Sequence, residues 1–130
     1  MMVNKSDNFE SLNACTRKII GCAFRVSNQL GPGFLEKVYE NALVLELTNI
    51  GLKYEQQVPL KVRYEGIIVG DFIADLLIED AILVELKAVD ALSNVHMAQC
   101  LNYLKATGLK LCLLINFGTQ KVQIKRIINS

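Results

Sequence analysis

The chain has 130 residues, of which 52% are hydrophobic and 21% charged, and its formal net charge at pH 7 is +1. This length suggests one domain with a single core, and this composition excludes a disordered chain. The near-neutral balance excludes a strong overall field that would draw the protein to nucleic acid, so any basic surface has to be local.

No apolar run is long enough to span a membrane, and the opening residues, Met1 to Asn8, are polar rather than signal-like. A cytoplasmic location without a membrane partner is therefore expected. Cys15, Cys22, Cys100 and Cys112 form no Cys-x-x-Cys pair and lie in apolar-patterned segments. They read as reduced, buried thiols rather than metal ligands, a disulfide or an iron–sulfur site.

Residues 8 to 30 carry Phe9, Leu12, Thr16, Ile19, Ala23, Val26 and Leu30 at three- and four-residue intervals, which predicts a helix. Gly31-Pro32-Gly33 ends it. A second helix is predicted from about Phe34 to Ile50, with Gly51 as its stop. Its apolar side carries Leu35, Val38, Tyr39, Ala42, Leu43 and Leu47. Glu36 and Glu40 lie on the line of Leu43 and Leu47, so two carboxylates head a stripe that points at the core. Acids in a first turn favour the helix dipole, which accounts for Glu36 better than for Glu40.

Residues 53 to 64 read as a strand with one wet face, and Pro59 suggests an edge position or a bulge. Glu65-Gly66 is a turn. Ile67 to Ile78 and Ala81 to Ala88 are two further strands. They carry Asp75, Glu85 and Lys87 where buried strands would carry apolar groups, and ionised side chains are costly to bury unless they are paired or bind a metal. Glu85 and Lys87 share one face of their strand, and Val84 and Leu86 share the other. A two-residue loop at Glu79-Asp80 would pair Asp75 with Val84. A three-residue loop, Glu79-Asp80-Ala81, pairs Asp75 with Glu85. An odd-length loop or a bulge is predicted, which brings two carboxylates and an ammonium together in a geometry suited to a hard divalent cation.

A third helix starts at Asp90 or Ser93 and ends near Thr107, with Gly108 as its cap. His96, Gln99 and Tyr103 fall on one stripe of it. His96 is the sole histidine and reads as structural or peripheral. Gln99 should lie close to the end of the Lys87 strand, because the connection is short. Lys110 to Asn116 is a nearly all-apolar strand, expected to be covered on both faces. Lys121 to Ile128 is a last strand, where Lys121, Lys125 and Arg126 form either a solvated edge or a phosphate-contacting patch. The order predicts an antiparallel meander of three strands, then a helical crossover to a parallel fourth strand.

Asp75 followed by Glu85-Leu86-Lys87 resembles the signature of the PD-(D/E)XK nuclease superfamily, with Ala74 where proline often precedes the aspartate. Gly33-Phe-Leu-Glu36-Lys-Val-Tyr39 resembles the motif of the GxxExxY proteins, a family of small domains in that superfamily. Val84 to Ala88, Gln99 to Leu104 and Leu113 to Gly118 are similar to its later blocks.

The resemblance, over about residues 15 to 128, implies an α/β fold with a mixed sheet, a restriction-endonuclease-like α-β-β-β-α-β core with an extra N-terminal helix; with the chain length, this gives a single domain over residues 8–128. It implies a metal-dependent nuclease that hydrolyses phosphodiester bonds, in DNA rather than RNA. Asp75, Glu85 and the Leu86 carbonyl would hold Mg2+ or Mn2+, and Glu36 or Glu40 would complete the shell. Lys87 would orient or help deprotonate the attacking water. Gln99 would position water, metal or phosphate, and Tyr39 and Tyr103 would support the site; His96, on the same helix stripe, is a further supporting candidate from its position alone. A homodimer is the economical arrangement if duplex DNA is cut on both strands. The alternative is a non-catalytic nucleic-acid-binding or protein-interaction module on the same fold, favoured by the weak net charge and small size.

Overall fold

The computed structural model describes residues 5–129. The residues before Lys5, part of the polar opening segment, and the Phe9 side chain lie outside the described parts. Eight elements follow in order: α1 (Lys5–Leu30), α2 (Glu36–Asn49), β1 (Tyr54–Tyr64), β2 (Ile67–Ile78), β3 (Ile82–Lys87), α3 (Asn94–Thr107), β4 (Leu111–Asn116) and β5 (Gln123–Ile128). No helix among the described residues is long and apolar enough to cross a membrane.

The strands form one mixed sheet in the order β1-β2-β3-β4-β5. Only β3 and β4 run parallel, joined through α3 as expected. β1 is an edge strand, which suits Pro59. β4 is buried along its whole length. α1 and α2 cover one face, where Ile19, Val26, Leu43 and Leu47 pack on Leu76, Val84, Leu86 and Leu113. α3 covers the other, where Cys100 and Leu104 pack on Leu60, Leu83, Cys112 and Leu114. Cys22, Cys100 and Cys112 are buried, Cys15 is half-buried, and all four are free thiols.

Two expectations for α2 are corrected. The helix begins at Glu36, and the preceding Leu35 is an extended N-cap residue whose side chain is 82% exposed. Val38 is exposed as well. The buried line runs through Tyr39, Leu43 and Leu47 with Glu40 beside it, and Val38 lies off that line.

The β2–β3 loop has the predicted odd length. Ile78 pairs with Ile82, so Glu79, Asp80 and Ala81 form the turn. Glu79 and Asp80 both take left-handed backbone, φ 54°. Continuing the register past Leu76↔Val84 sets Asp75 opposite Glu85.

A second irregularity aims this pair. Tyr54, Leu76 and Ile78 pack toward α1 and α2. Val58, Leu60 and Ala74 pack toward α3. Strict alternation would keep 54, 58 and 60 on one face, and likewise 74, 76 and 78. The pairing Gln56↔Leu76 and Val58↔Ala74 is nevertheless in register. Both strands therefore turn over together at the facing positions Gln57 and Asp75, and Gln57 takes φ 54° to do so.

Candidate active site

The site lies where β2 and β3 part. The Asp75 N–H donates to Glu85 Oε1 at 3.0 Å, and the Leu86 N–H donates to Asp75 Oδ2 at 2.7 Å. Each carboxylate thus takes a backbone donor of the other strand in place of a ladder bond. A strand residue presents its N–H and C=O to the same edge. The Leu86 carbonyl therefore faces the Asp75 side, while Lys87 O is turned to β4 and accepts from Phe117 N at 2.8 Å.

Glu85 is 4% exposed. Burial pushes its carboxyl up to about 8, and the Asp75 charge adds to the rise. Burial also raises Asp75; the Leu86 N–H partly offsets this, and Glu40 and Glu36 add to the rise. Neither carboxylate has an ion-pair partner among the described residues. Lys87 reaches the α3 side instead, with Nζ 3.5 Å from Gln99 Oε1. Gln99 Nε2 donates to the Tyr103 hydroxyl at 3.0 Å. Lys87, Gln99 and Tyr103 form one connected line beside the carboxylates.

α2 brings the other acids. Glu40 is buried with both oxygens engaged: Gln57 Nε2 donates to Oε1 at 2.9 Å, and Gln56 Nε2 and Lys37 Nζ donate to Oε2 at 2.7 and 2.9 Å. Successive side chains of a regular strand cannot reach one acceptor, so this clamp depends on the turnover at Gln57. Glu36, one turn earlier, is exposed.

The remaining sequence-predicted residues are placed as follows. Tyr39 stacks on Phe117, with ring centroids 4.7 Å apart. Its hydroxyl donates to Gly31 O at 2.6 Å and accepts from Phe34 N at 3.2 Å. It supports Phe117, whose N–H bonds the Lys87 carbonyl, and its hydroxyl ties the α1–α2 loop. His96 caps α3: its Nδ1 accepts from Ser93 N at 3.1 Å, and Ser93 Oγ accepts from His96 N. Lys121, Lys125 and Arg126 are exposed. They do not make one patch, because Lys125 and Arg126 are adjacent on β5 and point to opposite faces.

Sequence reasoning missed Gln56 and Gln57, and it matched Asn116-Phe117-Gly118 to a family block without giving it a role. Asn116 is fully buried; its Oδ1 accepts from Val89 N and Gly118 N, and its Nδ2 donates to Val89 O and Gln123 Oε1. It pins the chain just after Lys87. The available signal was a lone amide ending an otherwise apolar strand.

Could this site hold a metal? No group of three His, Cys, Asp or Glu side chains that could hold one exists among the described residues. That argues against a closed zinc-type cage. It suits a hard cation that takes one or two carboxylates and keeps waters and phosphate oxygens. A buried and a half-buried carboxyl side by side, with no ion-pair partner among the described residues, are the observation that fits such a cation.

The fold, a mixed sheet between helices with this acid–acid–lysine row, is nuclease-like. The chain belongs to the PD-(D/E)XK nuclease superfamily, whose pattern matches residues 13–127. Nucleases of that superfamily generally depend on a divalent metal. No curated protein matches the chain. Among solved structures, it is similar to an alkaline exonuclease, LHK-Exo, from Laribacter hongkongensis, with 14% identity, a TM-score of 0.55, and coverage of 72% of this chain and 56% of that one. It is also similar to SSO0001, with 17% identity, a TM-score of 0.54, and coverage of 72% and 49%. The chain thus spans about half the length of these two proteins, and at such identities the likeness is one of fold.

Proposed function

We propose that residues 8–128 form a single metal-dependent nuclease domain of the GxxExxY type, hydrolysing phosphodiester bonds in DNA in preference to RNA. The observation that carries this reading is the interlocked pair of half-buried Asp75 and buried Glu85, which has no ion-pair partner among the described residues and is flanked by Lys87 and Gln99.

Asp75, Glu85 and the Leu86 carbonyl are the residues that would hold Mg2+ or Mn2+. The exposed Glu36 would complete the shell through water, since Glu40 is already clamped by three donors. When bound, such a cation supplies a more acidic water and charge stabilisation at phosphorus. The chain's own residues do the rest. Lys87 directs its ammonium at the phosphate or the attacking water, and Gln99 restrains that ammonium. Tyr103 restrains Gln99 from the core side. Glu40, fixed by Gln56 and Gln57, keeps the α2 acids set toward Asp75.

The test is incubation of purified protein with linear, nicked, branched and single-stranded DNA in Mg2+ or Mn2+. Cleavage is expected with metal, absent in a chelator, and reduced at least about a hundredfold in Lys87→Ala. Mn2+ is also expected to raise the thermal midpoint of the wild type but not of Glu85→Gln. Cleavage by Lys87→Ala at the wild-type rate would overturn the mechanism. Binding without cleavage under both metals would favour a non-catalytic module.

A further inference from the structure

Next to Lys87 and Gln99 lies a groove that the hydrolytic reading leaves unused. It runs between the β1–β2 pair and α3, has a volume of about 240 Å3, and its walls are Val62, Phe72, Val95 and Ala98. Gln99, Asn102 and Tyr103 complete its lining. Phe72 and Tyr103 meet with ring centroids 5.7 Å apart at 49°. Phe72 is 44% exposed and Val95 76% exposed, so an aromatic face and an aliphatic wall stand open to solvent. Past Asn102 the groove widens to about 550 Å3, and Lys61, Arg63 and Lys105 border it with no acid among the lining residues. Lys61 is paired with Asp71, whereas Arg63 and Lys105 have no ion-pair partner among the described residues.

We propose that this groove is a subsite for an unpaired nucleobase of a single-stranded substrate, with Phe72 as its stacking platform and Arg63 and Lys105 facing the sugar-phosphate backbone. This rests on the nuclease reading and names its substrate class. Three features select this occupant. The slot shares Gln99 and Tyr103 with the catalytic line, so a strand with a phosphate at Lys87 carries a neighbouring base across it. Its walls are apolar and aromatic and its rim cationic, the combination that binds single strands without reading sequence. The Asn102 amide can meet a base edge. Bases in an intact duplex have both faces stacked and cannot enter, so the occupant comes from a single strand or an opened end.

The experiment measures binding in a chelator, where no cleavage occurs, by fluorescence anisotropy. The probes are a labelled oligothymidine, a labelled oligomer of equal length in which every nucleotide is abasic, and a blunt duplex. Wild-type protein is expected to bind oligothymidine about tenfold more tightly than the abasic strand, the size of one base–aromatic stack. It should also prefer oligothymidine to the duplex. Phe72→Ala should lose that tenfold against oligothymidine and change little against the abasic strand, while Phe72→Trp should retain it. Phe72 is more than half covered, so folding of both variants is checked by circular dichroism, and Val95→Asp at the exposed Val95 provides a second probe of the same wall. Equal affinity of the wild type for the two strands, no single-strand binding, or an unchanged affinity in both Phe72→Ala and Val95→Asp would overturn the proposal. So would a protein that is dimeric by light scattering and becomes monomeric in these variants with no change in base dependence, since the groove would then hold a second copy. Lack of metal-dependent cleavage with base-dependent binding intact would count against the nuclease reading and leave the subsite standing.

Discussion

Glu85 is anchored by one backbone N–H and has no ion-pair partner among the described residues, and the Lys87 charge offsets its burial only in part, so in the metal-free protein its carboxyl holds a proton near neutrality. The unfolded chain releases that proton near the ordinary value of 4.5, while the folded chain keeps it until about 8. Across that window the folded state binds more protons, so stability falls as pH rises. Thermal denaturation of the metal-free protein at stepped pH is expected to show this decline. Glu85→Gln, a neutral replacement of similar shape, should remove most of the decline. An unchanged slope in the variant would place the titrating group elsewhere. Residue identity made part of this legible in advance: an Asp and a Glu on buried strands needed a reason, and counting across a three-residue loop set them opposite one another. The rise of Glu85 was not legible, because it depends on how completely Leu83, Leu114 and α3 exclude water.

At the scale of elements, three devices hold the site. The β1–β2 ribbon turns over at Gln57 and Asp75, Ser93 and His96 start α3, and Asn116 to Gly118 anchor the chain after Lys87. Gly118 is required by closeness: a Cβ there would collide with the Val89 backbone. Gly118→Ala is expected to lower stability by about 2 kcal/mol or more, because the collision is with main chain that cannot rotate away. Urea unfolding measures the loss. Any residual activity should fall further than folding alone accounts for, since Ala88 and Val89 directly follow Lys87. Wild-type stability in the variant would show that the β4–β5 turn adjusts freely. Periodicity predicted all eight elements to within a few residues, because capping and apolar spacing are local. It could not reveal the turnover at Gln57, where two ordinary-looking strands change face together and keep their register. The Lys121, Lys125 and Arg126 grouping failed for a reason that was available, since adjacent strand residues point apart.

Over the whole molecule, the helices and the sheet divide the labour. α2 delivers acids, α3 delivers Gln99 and Tyr103, and the sheet holds Asp75, Glu85 and Lys87 between them. With a net charge of +1, the nucleic-acid binding proposed above would depend on the few cations that face the strand. If Lys87, Arg63 and Lys105 each meet one phosphate, the logarithm of affinity should fall against the logarithm of salt with a slope of about −2. Anisotropy titrations with oligothymidine over a range of salt concentrations test this, and a much steeper slope would mean that further basic residues face the strand.

The sequence by itself determined the strand and helix order, the facing of Glu85 with Lys87, and the odd loop that brings Asp75 opposite Glu85. All of these follow from local periodicity and from the two-residue repeat of a strand. The tertiary structure alone decided that Gln56 and Gln57 clamp Glu40, that Tyr39 stacks on Phe117 behind Lys87, and that Phe72 opens a slot beside Gln99. Each of these joins residues far apart in the chain, and their meeting depends on how the layers pack, which no local pattern encodes.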